Sequence, residues 1–518
     1  MTSSPHSHAA LRWQQGRRLG AVTAVAALAT VSAGLSPAVA DTPSSSSASA
    51  APVSVSFTGK NAVTWGGSSA AYPSNPGPNY GYVPNDVQLG SASTTIGGAS
   101  VALSSLVRLD SGGLLTSISQ AGSALNSRGA SGALGQNFTF PTTGDPSQAA
   151  HIDLIKAGAG STIPAGLVDS VTLDLGAFAS ETGFVNGRLL DPDGVGGPGR
   201  YRVGQADVTV KSSAVKNAAA QLYNGLGAVD RKIEQIVNQG VPLNKLNGLL
   251  GVVLPTPTMT VQSNTRDKVF SKLLAQPLTS KNKLVTIDLS TGTVKVHLDQ
   301  LASGGLNSQS PNKELIDSKD YPLIAQTVHD LMHDATNIAV GAVENSLDAV
   351  KIKLSWVGPL LLSPNGLNIT WSFTLKQAAT GTLPAPVNNS SGLLGGVVGS
   401  LVTTLAKSAN VVGTVFRPVY NLVIANAGDG VFDLLINQIK FGFTSTVVNM
   451  LQPVFTAATQ VVSVKVNSQS TETCTPAGGA PVPSSHSLSA LSLSFLKSAD
   501  GARLDLGKSS AKATPAGC

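Results

Sequence analysis

The sequence predicts an α+β protein in which antiparallel, sandwich-like sheets pack with several helices behind a loop-rich N-terminal region. Apolar and polar residues alternate with period two at 171–175, 284–289, 294–298 and 366–375. Long helical patterns occupy 213–239 and 321–347, and Gly, Ser, Asn and Pro dominate 53–148.

The chain has 518 residues and opens on a leader. Arg12, Arg17 and Arg18 precede an apolar stretch at 19–35, and Ala38, Val39 and Ala40 place small residues before Asp41. That order is an export signal with cleavage between Ala40 and Asp41. Thr23, Thr30, Ser32 and Gly34 interrupt the apolar stretch, which argues against a membrane span. The residues around Arg17 and Arg18 lack the rest of a twin-arginine signal, so the general export route is expected.

Removing residues 1–40 takes away three arginines and no acidic side chain, which lowers the net charge from +6 to +3. So small and scattered an excess is no nucleic-acid footprint, and no nucleic-acid partner is expected. Only 12% of the chain is charged, as suits an extracellular chain of strands and turns better than a cytoplasmic enzyme. The two cysteines, Cys474 and Cys518, form a candidate bridge in an oxidising compartment.

Six segments follow from composition. After the leader, 41–52 (DTPSSSSASAAP) reads as a flexible Ser/Ala-rich spacer. Residues 53–167 read as a loop-rich β region, 168–376 as a mixed β and helical body, and 377–391 (QAATGTLPAPVNNSS) as a linker. A helical and β region, 392–518, closes the chain, with helices at 394–405 and 446–456, the second ending or kinking near Pro453. The first is too short to span a bilayer, so no transmembrane span is expected once the leader is removed.

Two strand pairs are predicted. In the hairpin 284–298, Val285, Ile287, Leu289, Val294, Val296 and Leu298 share one face, while Thr286, Asp288, Lys295 and His297 face water. Residues 350–357 pair with 366–375, where Leu367, Ile369, Trp371, Phe373 and Leu375 alternate.

Few residues suggest chemistry. His329 and His333 stand one helical turn apart, the spacing of zinc ligands in a metalloprotease helix, with Glu344 as a third candidate. Asp330 replaces the glutamate of that motif, and both histidines fall off the stripe formed by Ile324, Val328, Leu331, Ala335, Ile338 and Ala342. A hydrated polar face is expected. Asp191 and Asp193 before Gly194 resemble the start of a calcium loop, but the later ligand positions are missing and an Asp-capped turn accounts for them. Hence no bound metal or cofactor is expected. The chain contains no nucleophile elbow, P-loop or dinucleotide fingerprint. Trp371 reads as core, and Trp65 and Tyr80 as exposed contacts.

The run 284–301 (LVTIDLSTGTVKVHLDQL), followed by Gly305, Leu306 and Asn307 and then by Pro311, Asn312, Glu314 and Leu315, resembles the choice-of-anchor G family. Weaker similarity runs through 169–214 and 487–510. These are extracellular proteins of Gram-positive actinobacteria that share a body and differ in how their C-termini attach to the envelope. The resemblance implies a surface role and brings no catalytic residue. Residues 506–518 show no Leu-Pro-x-Thr-Gly sorting signal, apolar segment or basic tail, so release or non-covalent retention is expected.

The expected function is therefore that of a secreted or envelope-associated, non-enzymatic surface protein, structural or adhesive, that binds an envelope polymer, glycan or extracellular protein. A lipid-handling protein is the alternative, given a mean hydropathy of +0.16 and Ala/Val/Leu-rich helices. A zinc hydrolase using His329 and His333 ranks last. An apolar cavity between sheet and helices would favour lipid, and a filled core with exposed aromatics would favour adhesion.

Overall fold

The computed structural model describes residues 44–518, apart from residues 59, 84–88, 90–91, 97–98, 111–114, 136–138, 141–148, 162, 193, 195–196, 250–254, 302–304, 361–362, 391–403, 405–408, 427–436, 438–441, 443 and 477. The leader with its Ala40–Asp41 junction, Asp193, and all of the 394–405 helix except Thr404 lie outside the described residues.

The expected spacer is a strand from Ser45 onward. Ser45–Phe57 pairs antiparallel with Arg503–Thr514, from Ser45 opposite Thr514 to Ser56 opposite Arg503. The terminal sheet runs in the order Lys60–Trp65, Ser45–Phe57, Arg503–Thr514, Val482–Phe495, Val462–Cys474 and Lys313–Glu314, with Ser68–Tyr72 also against the first long strand. Composition misleads here for a physical reason. Ser46, Ala48 and Ala50 share one buried face, with Ser46 Oγ donating to Ser123 O at 2.5 Å, and small side chains are what a strand needs when another sheet lies close above it.

That other layer is the cover sheet, ordered Arg188–Leu189, Phe178–Val185, Asn126–Gly132, Thr116–Ser123 and Asn79–Tyr82, with Arg200–Val203 also on Phe178–Val185. A Cβ on Gly129 would stand 2.9 Å from the carbonyl oxygens of Ser49 and Ser510, so the two sheets meet almost backbone to backbone. Serines stitch the seam. Ser127 Oγ donates to Lys512 O at 2.7 Å, Ser131 Oγ to Lys508 O at 2.8 Å, and Ser180 Oγ lies 2.8 Å from Ser509 Oγ. Thus the Gly, Ser and Ala of these facing strands serve a tight polar seam.

The blocks 53–167, 168–376 and 392–518 are not sequential domains, because the terminal sheet draws strands from both ends of the described chain and residues Pro43–Cys518 form one unit. The linker is likewise part of the fold. Thr374 and Gln377 make a capping box for the helix Leu375–Thr380, the Trp371 indole donates to Pro384 O at 2.6 Å, and Val387–Asn388 pairs with Ser363–Thr374.

The groove sheet has the order Leu278–Thr279, Val285–Asp288, Thr293–His297, Ala206–Lys211, Ser170–Leu175, Ala149–Asp153 and Val107–Asp110. Its hairpin forms as expected, with Val285, Ile287, Leu289, Val294, Val296 and Leu298 buried. The tryptophan sheet, Thr258–Gln262, Lys351–Leu360, Ser363–Thr374 and Val387–Asn388, sets Leu354 opposite Trp371 and Trp356 opposite Ile369, all buried.

Helices cover the inner faces of these two sheets. Ser213–Gly240 buries Val215, Ala219, Leu222, Leu226, Val229, Ile233 and Val237, a spacing of three or four that keeps one stripe inward, and Ser212 caps it by accepting from Val215 N. Tyr321–Asp348 buries Ile324, Val328, Leu331 and Ala335, whereas Ile338 is 44% exposed because it falls beside the stripe. Thr444–Val461 continues two turns beyond Pro453, so that proline does not end it. Among the described residues, no helix is long and apolar enough to cross a membrane.

Candidate functional site

The wet face of the groove sheet gathers what single strands could not reveal. Pairing register places Arg108, His151, Asp174, Asp207 and His297 side by side on five neighbouring strands. The next row holds Asp153, Thr172, Thr209, Lys295 and Thr286. Since period-two alternation turns every second residue outward, the two rows form one continuous polar surface. A groove of about 630 Å³ follows part of it, lined by Arg108, His151, Asp153, Lys156, Asp174 and Lys211 with several Ser and Thr hydroxyls.

Two like charges, Asp174 and Asp207, stand directly opposite each other, an arrangement that costs stability unless each carboxylate is compensated by hydrogen bonds. Each has its own histidine. His151 Nδ1 lies 2.6 Å from Asp174 Oδ1, and Thr209 Oγ1 donates to the other oxygen. On the far side His297 Nδ1 lies 2.8 Å from Asp207 Oδ1, while Gln205 Nε2 donates to Oδ2 and Lys295 Nζ approaches it at 3.7 Å. His297 Nε2 is 3.2 Å from Thr286 Oγ1, which completes an Asp–His–hydroxyl chain. Thr286 sits in a strand paired on both edges, so its ladder commits the backbone N–H groups that would hold an oxyanion. The surface is thus equipped to hold a hydroxyl-rich ligand by many direct hydrogen bonds.

The residues singled out from sequence lie elsewhere. His329, His333 and Glu344 are exposed on the outer face of the Tyr321–Asp348 helix, and nearby Asp334 Oδ2 is held by Lys281 Nζ at 2.8 Å. Asp191 accepts from Gly194 N at 3.0 Å, which is an Asp-capped turn. Among the described residues, the cluster of three metal-ligating groups is Asp207, His297 and Asp299, which includes none of them. Cys474 and Cys518 are disulfide-bonded with Cα atoms 6.0 Å apart. Trp356 and Trp371 are core, Trp65 is half-buried, and Tyr80 is 47% exposed beside Tyr82 on the edge strand of the cover sheet.

Two other charged or titratable groups belong to the architecture. Glu181 is fully buried and accepts from Arg128 Nε and from Arg200 Nε, the latter at 2.6 Å, while the Arg200 guanidinium stacks 4.6 Å from the Phe140 ring centroid. His486 is buried in the seam, with Nδ1 2.6 Å from Thr182 Oγ1. Burial disfavours its charged form and lowers its pKa from 6.5 to about 4. A depressed folded-state pKa means that the neutral ring's contribution is complete above pH 6.5 and is lost as pH falls towards 4, by up to about 3 kcal/mol. Denaturation midpoints should therefore fall across that window in the native chain and stay flatter in His486→Gln. Parallel slopes would place the acid sensitivity elsewhere.

The sequence features behind the resemblance prove to be ties. Asn307 Oδ1 accepts from Val203 N at 2.7 Å and its Nδ2 donates to Val203 O at 3.2 Å, while Glu314 accepts from Val464 N and from Ser463 Oγ. Buried Tyr201 accepts from Gln309 N at 2.8 Å and donates to Leu306 O at 2.9 Å, and burial pushes its pKa up to about 12. These contacts bind the stretch after the hairpin to the cover and terminal sheets.

No curated protein and no solved structure matches the chain. One family, described as "Domain of unknown function (DUF8394)", matches residues 63–512, a span that contributes strands to all four large sheets, and the chain belongs to that family.

Proposed function

We propose that this is a secreted or envelope-associated, non-enzymatic surface protein that binds a hydrophilic polymer, a glycan in first place, along the polar face of the groove sheet. The carrying observation is the groove itself, where carboxylates, cations and hydroxyls from separate strands converge on open space. Three further facts support the reading. Residues 1–40 have the form of an export signal, the Cys474–Cys518 bridge suits an oxidising compartment, and the resemblance to choice-of-anchor G proteins implies a surface role. Among the described residues, Trp356, Trp371, Phe373 and Phe416 are buried at the tryptophan sheet, and Phe373 packs edge-on against both Trp371 and Phe416. That packing favours adhesion over lipid handling.

The test is binding of the purified chain to immobilised envelope polysaccharides and to a glycan array. Arg108→Ala with Lys211→Ala should weaken binding at least about tenfold, equivalent to about 1.4 kcal/mol, and leave the melting temperature within a few degrees. Tyr80→Ala with Tyr82→Ala tests the exposed tyrosine edge in parallel. Retention of full affinity by the groove variant would overturn the assignment of the site, and turnover of a glycan abolished by Asp174→Asn would overturn the non-enzymatic reading.

A further inference from the structure

The two histidine–aspartate pairs of the charged row look alike but differ in one respect. Around Asp174 the remaining partners are hydroxyls, with Thr209 and Thr172 both donating to Oδ2. Around Asp207 a third ligating group is present: the donor atoms of Asp207, His297 and Asp299 all lie within 4.8 Å of one another. Asp207 is fully buried, whereas His297 and Asp299 are half-buried at the surface. Lys295 and Gln205 engage Oδ2 of Asp207, which leaves Oδ1 turned to the imidazole.

We propose that Asp207, His297 and Asp299 bind a divalent first-row transition ion, with Zn²⁺ the best match. The argument is one of charge and donor type. Two carboxylates share one lysine here, so their charge is only partly offset by Lys295, and a cation relieves the repulsion between them. One imidazole nitrogen with two carboxylate oxygens is a donor set for zinc or its neighbours, whereas calcium and magnesium take oxygen alone. The imidazole is also suitably placed. When Nδ1 gives its lone pair to the ion, the ring proton moves to Nε2, 3.2 Å from Thr286 Oγ1, which accepts it and holds that tautomer. Three side chains leave coordination positions open to water or to a ligand hydroxyl. The proposal does not rest on glycan binding, because it needs only these three residues.

The test uses the untagged purified protein, equilibrated with ZnCl₂, freed of excess metal by gel filtration and assayed for zinc per chain. One zinc per chain is expected. His297→Gln and Asp299→Asn should each weaken retention at least about tenfold, and His151→Gln should leave it unchanged. Asp299 is half-buried and does not fill the core, so its variant should fold, with circular dichroism as the check. No retained zinc, equal loss in His151→Gln, or a zinc removed by His329→Ala and kept by His297→Gln would each overturn the proposal, the last by assigning the metal to the exposed helix pair. Calcium held as tightly as zinc, with no dependence on His297, would overturn it as well.

Discussion

Replacing both Arg128 and Arg200 by Met should destabilise the protein by about 3–5 kcal/mol, whereas Glu181→Met should cost less. The Glu181 carboxylate is completely excluded from solvent, and its two guanidinium partners supply its compensation. Removing them strands a buried charge, the costliest way to break such a group. Removing the carboxylate leaves two cations that are 39% and 23% exposed and can turn to water, and the Arg200 side chain keeps its stacking on Phe140. Urea denaturation of the three proteins at neutral pH measures the asymmetry. A Glu181→Met chain as unstable as the double arginine variant would show that packing, rather than the buried charge, sets the cost.

Reduction of the Cys474–Cys518 bridge, or replacement of both cysteines by Ser, should cost about 4 kcal/mol. The bond joins positions 44 residues apart, and closing a loop of that length removes about this much entropy from the unfolded ensemble. The two strands inside the loop, Val482–Phe495 and Arg503–Thr514, pair with each other, and the second is the principal partner of Ser45–Phe57. Loosening the loop should therefore fray the terminal sheet before the groove sheet, which hydrogen exchange can resolve strand by strand. Denaturation midpoints that do not move on reduction would refute the loop-entropy argument.

Much of this architecture was legible wherever local pattern and tertiary environment agree. The 284–298 hairpin, the two 28-residue helices and the alternating strand through Trp371 follow directly from periodicity, because each buries one face and wets the other. The Ser45–Phe57 strand did not, since a run of Ser and Ala has no apolar alternation and its pairing partner lies at the opposite end of the chain. The groove failed to show for the same reason. Asp174 and His297 were each visible as outward residues of a strand, but the row containing them exists only through register between five segments from 107 to 297. The histidine pair at His329 and His333 drew notice because both members sit in one helix, and the fold leaves both at the surface.

The pairing of Ser45–Phe57 with Arg503–Thr514 also sets an order of assembly. A chain made from its amino end presents Ser45–Phe57 early and Arg503–Thr514 almost last, so the first strand can pair at once with Lys60–Trp65 and Ser68–Tyr72 while its other edge stays open until the end. The fold has a topological delay built into it: the terminal sheet closes only when nearly the whole polypeptide has been made, and a chain cut short of Arg503 lacks the strand that joins Ser45–Phe57 to Val482–Phe495.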